Sequence, residues 1–159
     1  WTHIGGGPGL VDLQRAVNIR PELGGRVHLT GGIGHEEVLR LLSRQPVDLF
    51  INVSSSEGLP VSLMEAASCG IPLLALDVGG VGEVVDAANG FLLPASATVA
   101  EVADAIAFLM TSSESATGRL RTQSRQRWER CFDAEVNTAR AIELLAAHAG
   151  AMHSQDEDA

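Results

Sequence analysis

The chain has 159 residues, 45% of them apolar and 19% charged, with a formal net charge of −9. That length and apolar content suit a packed globular domain, and the acidic balance argues against nucleic acid or an anionic membrane surface as the main partner, since both need a basic footprint. All 11 basic residues are arginine, and the lack of lysine excludes a Walker A phosphate loop and a pyridoxal-phosphate Schiff base in this chain.

In chain order, apolar runs alternate with helical patterns. His3-Ile4 leads into the glycine cluster Gly5-Gly-Gly-Pro-Gly9, after which Leu10, Leu13, Ala16 and Val17 recur at helical spacing. Arg26 to Gly31 reads as a short strand, and His35 to Arg44 as an amphipathic helix with Val38, Leu41 and Leu42 on one side. Val47-Asp-Leu-Phe-Ile-Asn-Val53 is nearly continuous in apolar character, as expected of a strand covered on both faces. Val61 to Cys69 reads as a helix opened by Pro60 and closed by Gly70. Ile71 to Leu76 is the next strand, Val84-Val85 a short helical turn, Phe91-Leu-Leu93 a small strand, and Val99 to Met110 a further helix. Ser112 to Gly118 reads as a polar connector, and Arg119 to about Ala149 as helix with a break near Asp133.

Strand and helix thus alternate four or five times, the pattern of an α/β, Rossmann-like domain with a parallel sheet and C-terminal helices. Residues 1–150 are expected to form one domain and 151–159 a disordered acidic tail. The chain has no initiator Met and opens on what reads as a strand, so a piece of a longer protein is expected. No apolar run approaches the roughly 18–20 residues that span a bilayer, and Trp1-Thr-His-Ile-Gly5 is no signal peptide. Cys69 and Cys131 lack CxxC spacing, and the five histidines lack metal-ligand spacing, so reduced thiols and no metal site are expected.

In an open parallel sheet, ligands bind beyond the carboxyl ends of the strands. The segments expected there are Gly5 to Gly9, Thr30 to Gly32, Ser54 to Pro60 and Asp77 to Gly80, all rich in glycine or small residues that let a ligand approach the backbone. The third is the most informative. Between the strand ending at Val53 and the helix beginning near Pro60, amides from Gly58 to Ser62 are free to hold an anion with the helix dipole. Glu57 precedes that helix, and Glu65 lies on the order of 8 Å along its axis from Pro60 at about 1.5 Å per residue. Carboxylates on either side of an anion site suit the hydroxyl groups that flank the diphosphate of a nucleotide-sugar.

At these residues the chain resembles the C-terminal domain of the GT-B-fold, family-4 retaining glycosyltransferases. Glu57 and Glu65 match that family's E-x7-E signature inside the string Phe50-Ile-Asn-Val-Ser-Ser-Ser-Glu-Gly-Leu-Pro-Val-Ser-Leu-Met-Glu-Ala66. The likeness continues through Gly70-Ile-Pro72, Asp77-Val-Gly-Gly80 with Glu83-Val-Val85, and Asn89-Gly90 with Phe91-Leu-Leu93. Upstream, His3 to Pro8 and Leu29-Thr-Gly31 resemble the first two strand-end loops, so the resemblance runs from residue 1 to about 145.

The resemblance implies that Glu57 contacts donor-sugar hydroxyls as the catalytic-site carboxylate and that Glu65 binds the ribose. It implies that Gly58, Leu59, Pro60, Val61 and Ser62 carry the sugar and diphosphate, that Gly5, Gly7, Thr30 and Gly31 complete the donor site, and that Thr30 to Ile33 border the base. It further implies transfer of a hexosyl group in glycan, polysaccharide or glycolipid synthesis, without metal or other cofactor, and a cytoplasmic protein with room for peripheral membrane association. The implied partners are a nucleotide-sugar donor and an N-terminal acceptor-binding domain lying outside this sequence. The family's basic pair for the diphosphate would also lie upstream of Trp1, so the chain alone is expected to bind donor weakly and not to catalyse transfer.

Other readings are a nucleotide-sugar epimerase-type GT-B enzyme, a phosphorylase, or a non-catalytic nucleotide-binding module. The missing lysine weighs against a phosphorylase, and the E-x7-E wording against an epimerase. A nicotinamide-dependent oxidoreductase fails because Leu10 occupies the last position of G-x-G-x-x-G, and the next strand ends Leu29-Thr30-Gly31 without an acid. Arg119, Arg121, Arg125, Arg127 and Arg130 are read as a solvated helical face or a docking surface, and Trp128 and Phe132 as core anchors.

Overall fold

The computed structural model describes residues 1–156, and the side chains of residues 1–148. It divides into two compact units, Trp1–Pro46 and a second beginning at Val47.

In the first unit, β1 (Thr2–His3) and β2 (His28–Leu29) pair in parallel, Thr2 opposite His28 and His3 opposite Leu29. The crossover between them is α1 (Gly9–Asn18) followed by a 3-10 turn at Pro21–Leu23, and α2 (His35–Arg44) closes the unit. Its two glycine loops meet: the Gly5 amide donates to the Gly31 carbonyl at 3.0 Å, and a Cβ on Gly6 would lie 3.3 Å from the Gly32 nitrogen. Thr30 turns its hydroxyl back onto the Gly31 carbonyl at 2.8 Å.

The second unit carries a parallel sheet in the order β3 (Phe50–Asn52), β4 (Leu73–Asp77), β5 (Gly90–Pro94). Its crossovers are α3 (Val61–Ser68) and the single turn α4 (Val81–Val84), and α5 (Val99–Thr111), α6 (Glu114–Cys131) and α7 (Ala134–Asp156) follow. The central strand β4 is the hydrophobic centre, with Leu73, Leu74 and Ala75 fully buried among Leu63, Ala66 and Ala67 of α3 and Val81 and Val84 of α4. Burying each of the leucines and valines contributes about 1.5–3 kcal/mol, and each alanine less, which is what fixes the helices on the sheet. Helix α3 ends as its sequence suggests: Gly70 adopts φ +67°, the left-handed conformation that terminates helices.

The expected α/β fold of parallel sheet and flanking helices is present, its strands divided between two sheets and shorter than the apolar runs suggested. The stretch 47–53 was expected to be a covered strand, but only Phe50–Asn52 is regular, and Ile51 and Val53 are exposed. The reason is position: β3 is an edge strand of its sheet, and β4 takes the covered place. The helical turn expected at Val84-Val85 lies at Val81–Val84, and Val85 is already extended. The connector expected at Ser112–Gly118 is mostly helix. Ser113 caps α6 by accepting from the Ala116 amide at 3.3 Å, and Glu114 sits in its first turn; a cap and a favourable dipole offset the roughly 1 kcal/mol cost of Gly118 inside a helix. The break near Asp133 is observed: the Asp133 carboxylate accepts from the Glu135 amide at 2.9 Å and starts α7. Of the acidic tail, α7 runs to Asp156, and residues 157–159 lie outside the described residues.

Among the described residues no helix is long and apolar enough to cross a membrane. Cys69 is half-buried and Cys131 exposed, both as free thiols.

Candidate functional site

The site forms where β3 ends. Leaving the sheet, the chain makes an Asx-type turn in which the Ser54 amide donates to Asn52 Oδ1 at 2.9 Å. The other end of the Asn52 amide, Nδ2, donates to Glu57 Oε1 at 3.0 Å. One side chain thus shapes the loop and orients the carboxylate. The Asn52 bond, then one from the Ser54 side chain, hold the Glu57 carboxyl below the ordinary glutamate range, against a smaller opposing effect of burial.

That depressed pKa fixes a sign. A carboxylate stabilised as the anion in the folded chain contributes stability above its unfolded value, about 4.3, and loses it as pH falls through the lower folded value. Glu57 is therefore an acceptor throughout the neutral range. Asn52→Ala is expected to move the Glu57 titration upward toward about 4.3, read by carboxyl-carbon NMR. A wild-type Glu57 titrating at or above that value would contradict the geometry.

Beyond Glu57, helix α3 begins without a side-chain cap, and Pro60, its N-cap residue, is buried. The Leu63 and Met64 amides turn back to the Pro60 carbonyl. The amides of Gly58, Leu59, Val61 and Ser62 have no acceptor among the described residues, and together with the helix dipole they make a place for an anion. Leu59 and Val61 stand 43% and 60% exposed beside them, giving the site apolar surface as well as donors. Glu65 lies half-buried one helical turn further on, and its own carbonyl accepts from the Ser68 hydroxyl at 2.7 Å.

The loop after β4 closes against this segment. The Gly80 amide donates to the Gly58 carbonyl at 2.7 Å. A Cβ on Gly79 would fall 1.9 Å from the Glu57 carbonyl oxygen, and one on Gly80 2.8 Å from that of Gly58. Backbone meets backbone here with no room for a side chain.

The structure therefore brings Glu57, Gly58, Leu59, Pro60, Val61, Ser62 and Glu65 into one region of the second unit, and Gly5 together with Gly31 and Thr30 in the first. Gly7 extends the first-unit loop at φ +119°. Asn52 is a site residue that sequence reasoning misses, although a polar side chain at the end of an apolar strand is its signal. The arginines of α6 were expected to form a solvated or docking face, and three of them instead anchor the helix. Arg121 donates to the Val47 carbonyl at 2.6 Å, Arg125 to the Ser68 carbonyl, and Arg127 to the end of α4. Trp128 and Phe132 are half-buried rather than core, and Arg125 lies 4.8 Å from the Trp128 ring centroid.

Residues 4–127 match the family described as Glycosyl transferases group 1. The chain belongs to this family. Among sequence relatives of this group 1 glycosyl transferase chain, the phosphatidylinositol N-acetylglucosaminyltransferase GPI3 subunit of Saccharomyces cerevisiae is 35% identical over 81 residues, 51% of this chain and 17% of that protein. The Escherichia coli O-antigen biosynthesis glycosyltransferase WbnH is 37% identical over 90 residues, 57% of this chain and 24% of that protein. Among solved structures, Anabaena HepE in complex with UDP superposes with a TM-score of 0.76 at 23% identity, covering 92% of this chain and 40% of that one. Sucrose-phosphate synthase from Thermosynechococcus elongatus gives 0.73 at 24%, covering 94% and 38%. These structural likenesses show the fold, that of the Rossmann-like C-terminal half of a GT-B glycosyltransferase. The matches span between 17% and 40% of the relatives' own lengths.

Proposed function

We propose that this chain binds a nucleoside diphosphate sugar, the donor of a hexosyl transfer in glycan, polysaccharide or glycolipid synthesis. The observation that carries the reading is the uncapped start of α3, where four amides without acceptors among the described residues adjoin a carboxylate oriented by Asn52. The diphosphate lies against the amides of Gly58, Leu59, Val61 and Ser62, where oriented donors meet its charge without reorganising. Glu57 accepts hydrogen bonds from hydroxyls of the sugar, and Glu65 from the ribose. The relatives support this class: WbnH is an O-antigen biosynthesis glycosyltransferase, and the HepE structure is a complex with UDP.

Neither carboxylate serves as an acid or base in this reading. Glu57 is held ionised, which suits an acceptor and not a proton donor at neutral pH. Within this chain the diphosphate is stabilised by main-chain dipoles, and the reaction is read as proceeding without metal or other cofactor. An acceptor-binding domain outside this sequence completes the enzyme, which works in the cytoplasm.

A titration of the chain with UDP-, GDP- and ADP-sugars, followed by amide NMR, tests the binding. One of them is expected to shift the Gly58 to Ser62 amides, and Glu65→Ala to weaken it by roughly 10-fold or more, the loss of hydrogen bonds to a charged acceptor. Absence of any shift at millimolar donor would overturn donor binding by this chain. In the complete enzyme, Glu57→Ala is expected to reduce kcat by about 10²-fold, the scale seen when one preorganised electrostatic contact is removed. Normal turnover would remove Glu57 from its assigned role.

A further inference from the structure

Arg127 is the best-connected arginine of α6, and its partners lie on the element that leads out of the site. Its Nε and Nη2 donate to the Glu83 carbonyl at 3.1 and 2.9 Å, Nη2 also reaches the Gly82 carbonyl at 3.5 Å, and Nη1 pairs with the Asp86 carboxylate. The Arg127 side chain is only 22% exposed. Gly82 and Glu83 belong to α4, a single turn that ends when Val85 becomes extended. The last carbonyls of a helix have no amide of their own, and a four-residue helix is not stable by itself. The guanidinium supplies the missing donors from a neighbouring helix, in the planar fork that suits two carbonyls and a carboxylate at once.

The other end of α4 is the Gly79-Gly80 turn. Only these two residues separate the helix from the backbone of Glu57 and Gly58, where Gly80 donates its amide to the Gly58 carbonyl. A rotation or displacement of α4 therefore reaches the donor segment without passing through a flexible side chain.

We infer that Arg127 is a positioning residue: it fixes α4 so that the Gly79-Gly80 turn braces the Glu57-Gly58 segment from behind. The inference rests on the donor-site reading above for its functional consequence, and on geometry alone for the brace. The hydrogen bonds of Arg127 go to Gly82, Glu83 and Asp86, so its influence on the donor segment passes through α4. Ser124, one turn earlier on α6, is a matched control, because its buried hydroxyl anchors the same helix to the Ile71 carbonyl at 2.7 Å and so acts at the start of β4 instead of at α4.

The experiment compares Arg127→Ala, Arg127→Lys and Ser124→Ala at one temperature well below all their midpoints. Hydrogen exchange of the Gly80 amide is expected to accelerate about 10-fold or more in Arg127→Ala, with amides inside β4 unchanged. UDP affinity, measured by calorimetry, is expected to fall about fivefold or more, the consequence of a binding segment left loose by its support. Lysine should recover part of both effects, since it restores the charge but not the fork. Ser124→Ala should lower the midpoint while leaving both readouts within about twofold of wild type. Arg127→Ala behaving like Ser124→Ala would overturn the positioning role. If the wild type binds neither UDP, GDP nor ADP, the donor-site reading falls and the functional consequence with it, while Gly80 exchange still decides whether Arg127 sets the brace.

Discussion

Gly79→Ala is expected to weaken nucleotide binding by at least about 10-fold while leaving most of the chain folded. Two effects converge on this position. Gly79 holds φ +54°, a conformation that costs an L-residue roughly 1–2 kcal/mol. Its Cβ would also meet the Glu57 carbonyl oxygen at 1.9 Å, the Glu57 carbonyl carbon at 2.9 Å and the Gly58 oxygen at 3.2 Å. All three are backbone atoms, so no rotamer change relieves the contact. Either the Asp77–Gly80 turn swings outward and breaks the 2.7 Å bond from Gly80 to Gly58, or the Glu57-Gly58 backbone is displaced. Each route moves the donor segment itself. The loop is exposed at Gly79, so it yields locally, and a cost of about 2 kcal/mol lowers Tm by only roughly 4–8 °C in a chain of this size. Calorimetric titration with UDP beside a thermal melt checks both halves. Unchanged affinity would mean that the brace does not set the segment's geometry.

The parts of this arrangement that could be read in the sequence are those governed by neighbours along the chain. Pro60 and Gly70 bound α3 because one is suited to open a helix and the other to leave it through a left-handed residue, both local effects. Glu57, the glycine-leucine-proline turn and Glu65 stand out through the surrounding string Phe50 to Ala66, whose wording resembles the family's E-x7-E segment. What escaped is carried by contacts across the fold. Nothing in the spacing of Arg127 says that it will meet the carbonyls of Gly82 and Glu83, more than forty residues earlier in the chain. Ile51 and Val53 look like core by composition, and only the strand order shows that β3 lies at the edge of its sheet. Ser112 to Gly118 misled because polar residues and a glycine are statistically loop-like. A single serine cap at Ser113 was enough to start the helix there.

Gly90→Ala makes the same closest approach as Gly79→Ala, 1.9 Å to a carbonyl oxygen, yet the expected result is opposite in kind. At Gly90 the obstruction is the Leu73 backbone: its oxygen at 1.9 Å, its carbonyl carbon at 2.7 Å and its nitrogen at 2.9 Å. Gly90 and Leu73 form the first pair of the β4–β5 ladder, and Leu73 itself is fully buried. Neither strand can retreat. Asn89, also buried, donates to the Val84 carbonyl at 2.9 Å and accepts from the Asp86 amide at 2.8 Å, and the Gly90 amide donates to the Asp86 carbonyl at 2.9 Å. The strain therefore enters the hydrophobic centre and costs about 3 kcal/mol or more. That is a large fraction of the roughly 5–15 kcal/mol by which a domain is stable. Urea unfolding should show a lowered midpoint, and a midpoint equal to wild type would contradict the register at this pair. Ligand then separates the two glycines. Molecules of Gly90→Ala that remain folded keep an intact donor segment, so saturating UDP should raise their midpoint by mass action. Gly79→Ala, folded but with its segment displaced, should gain little from the same concentration.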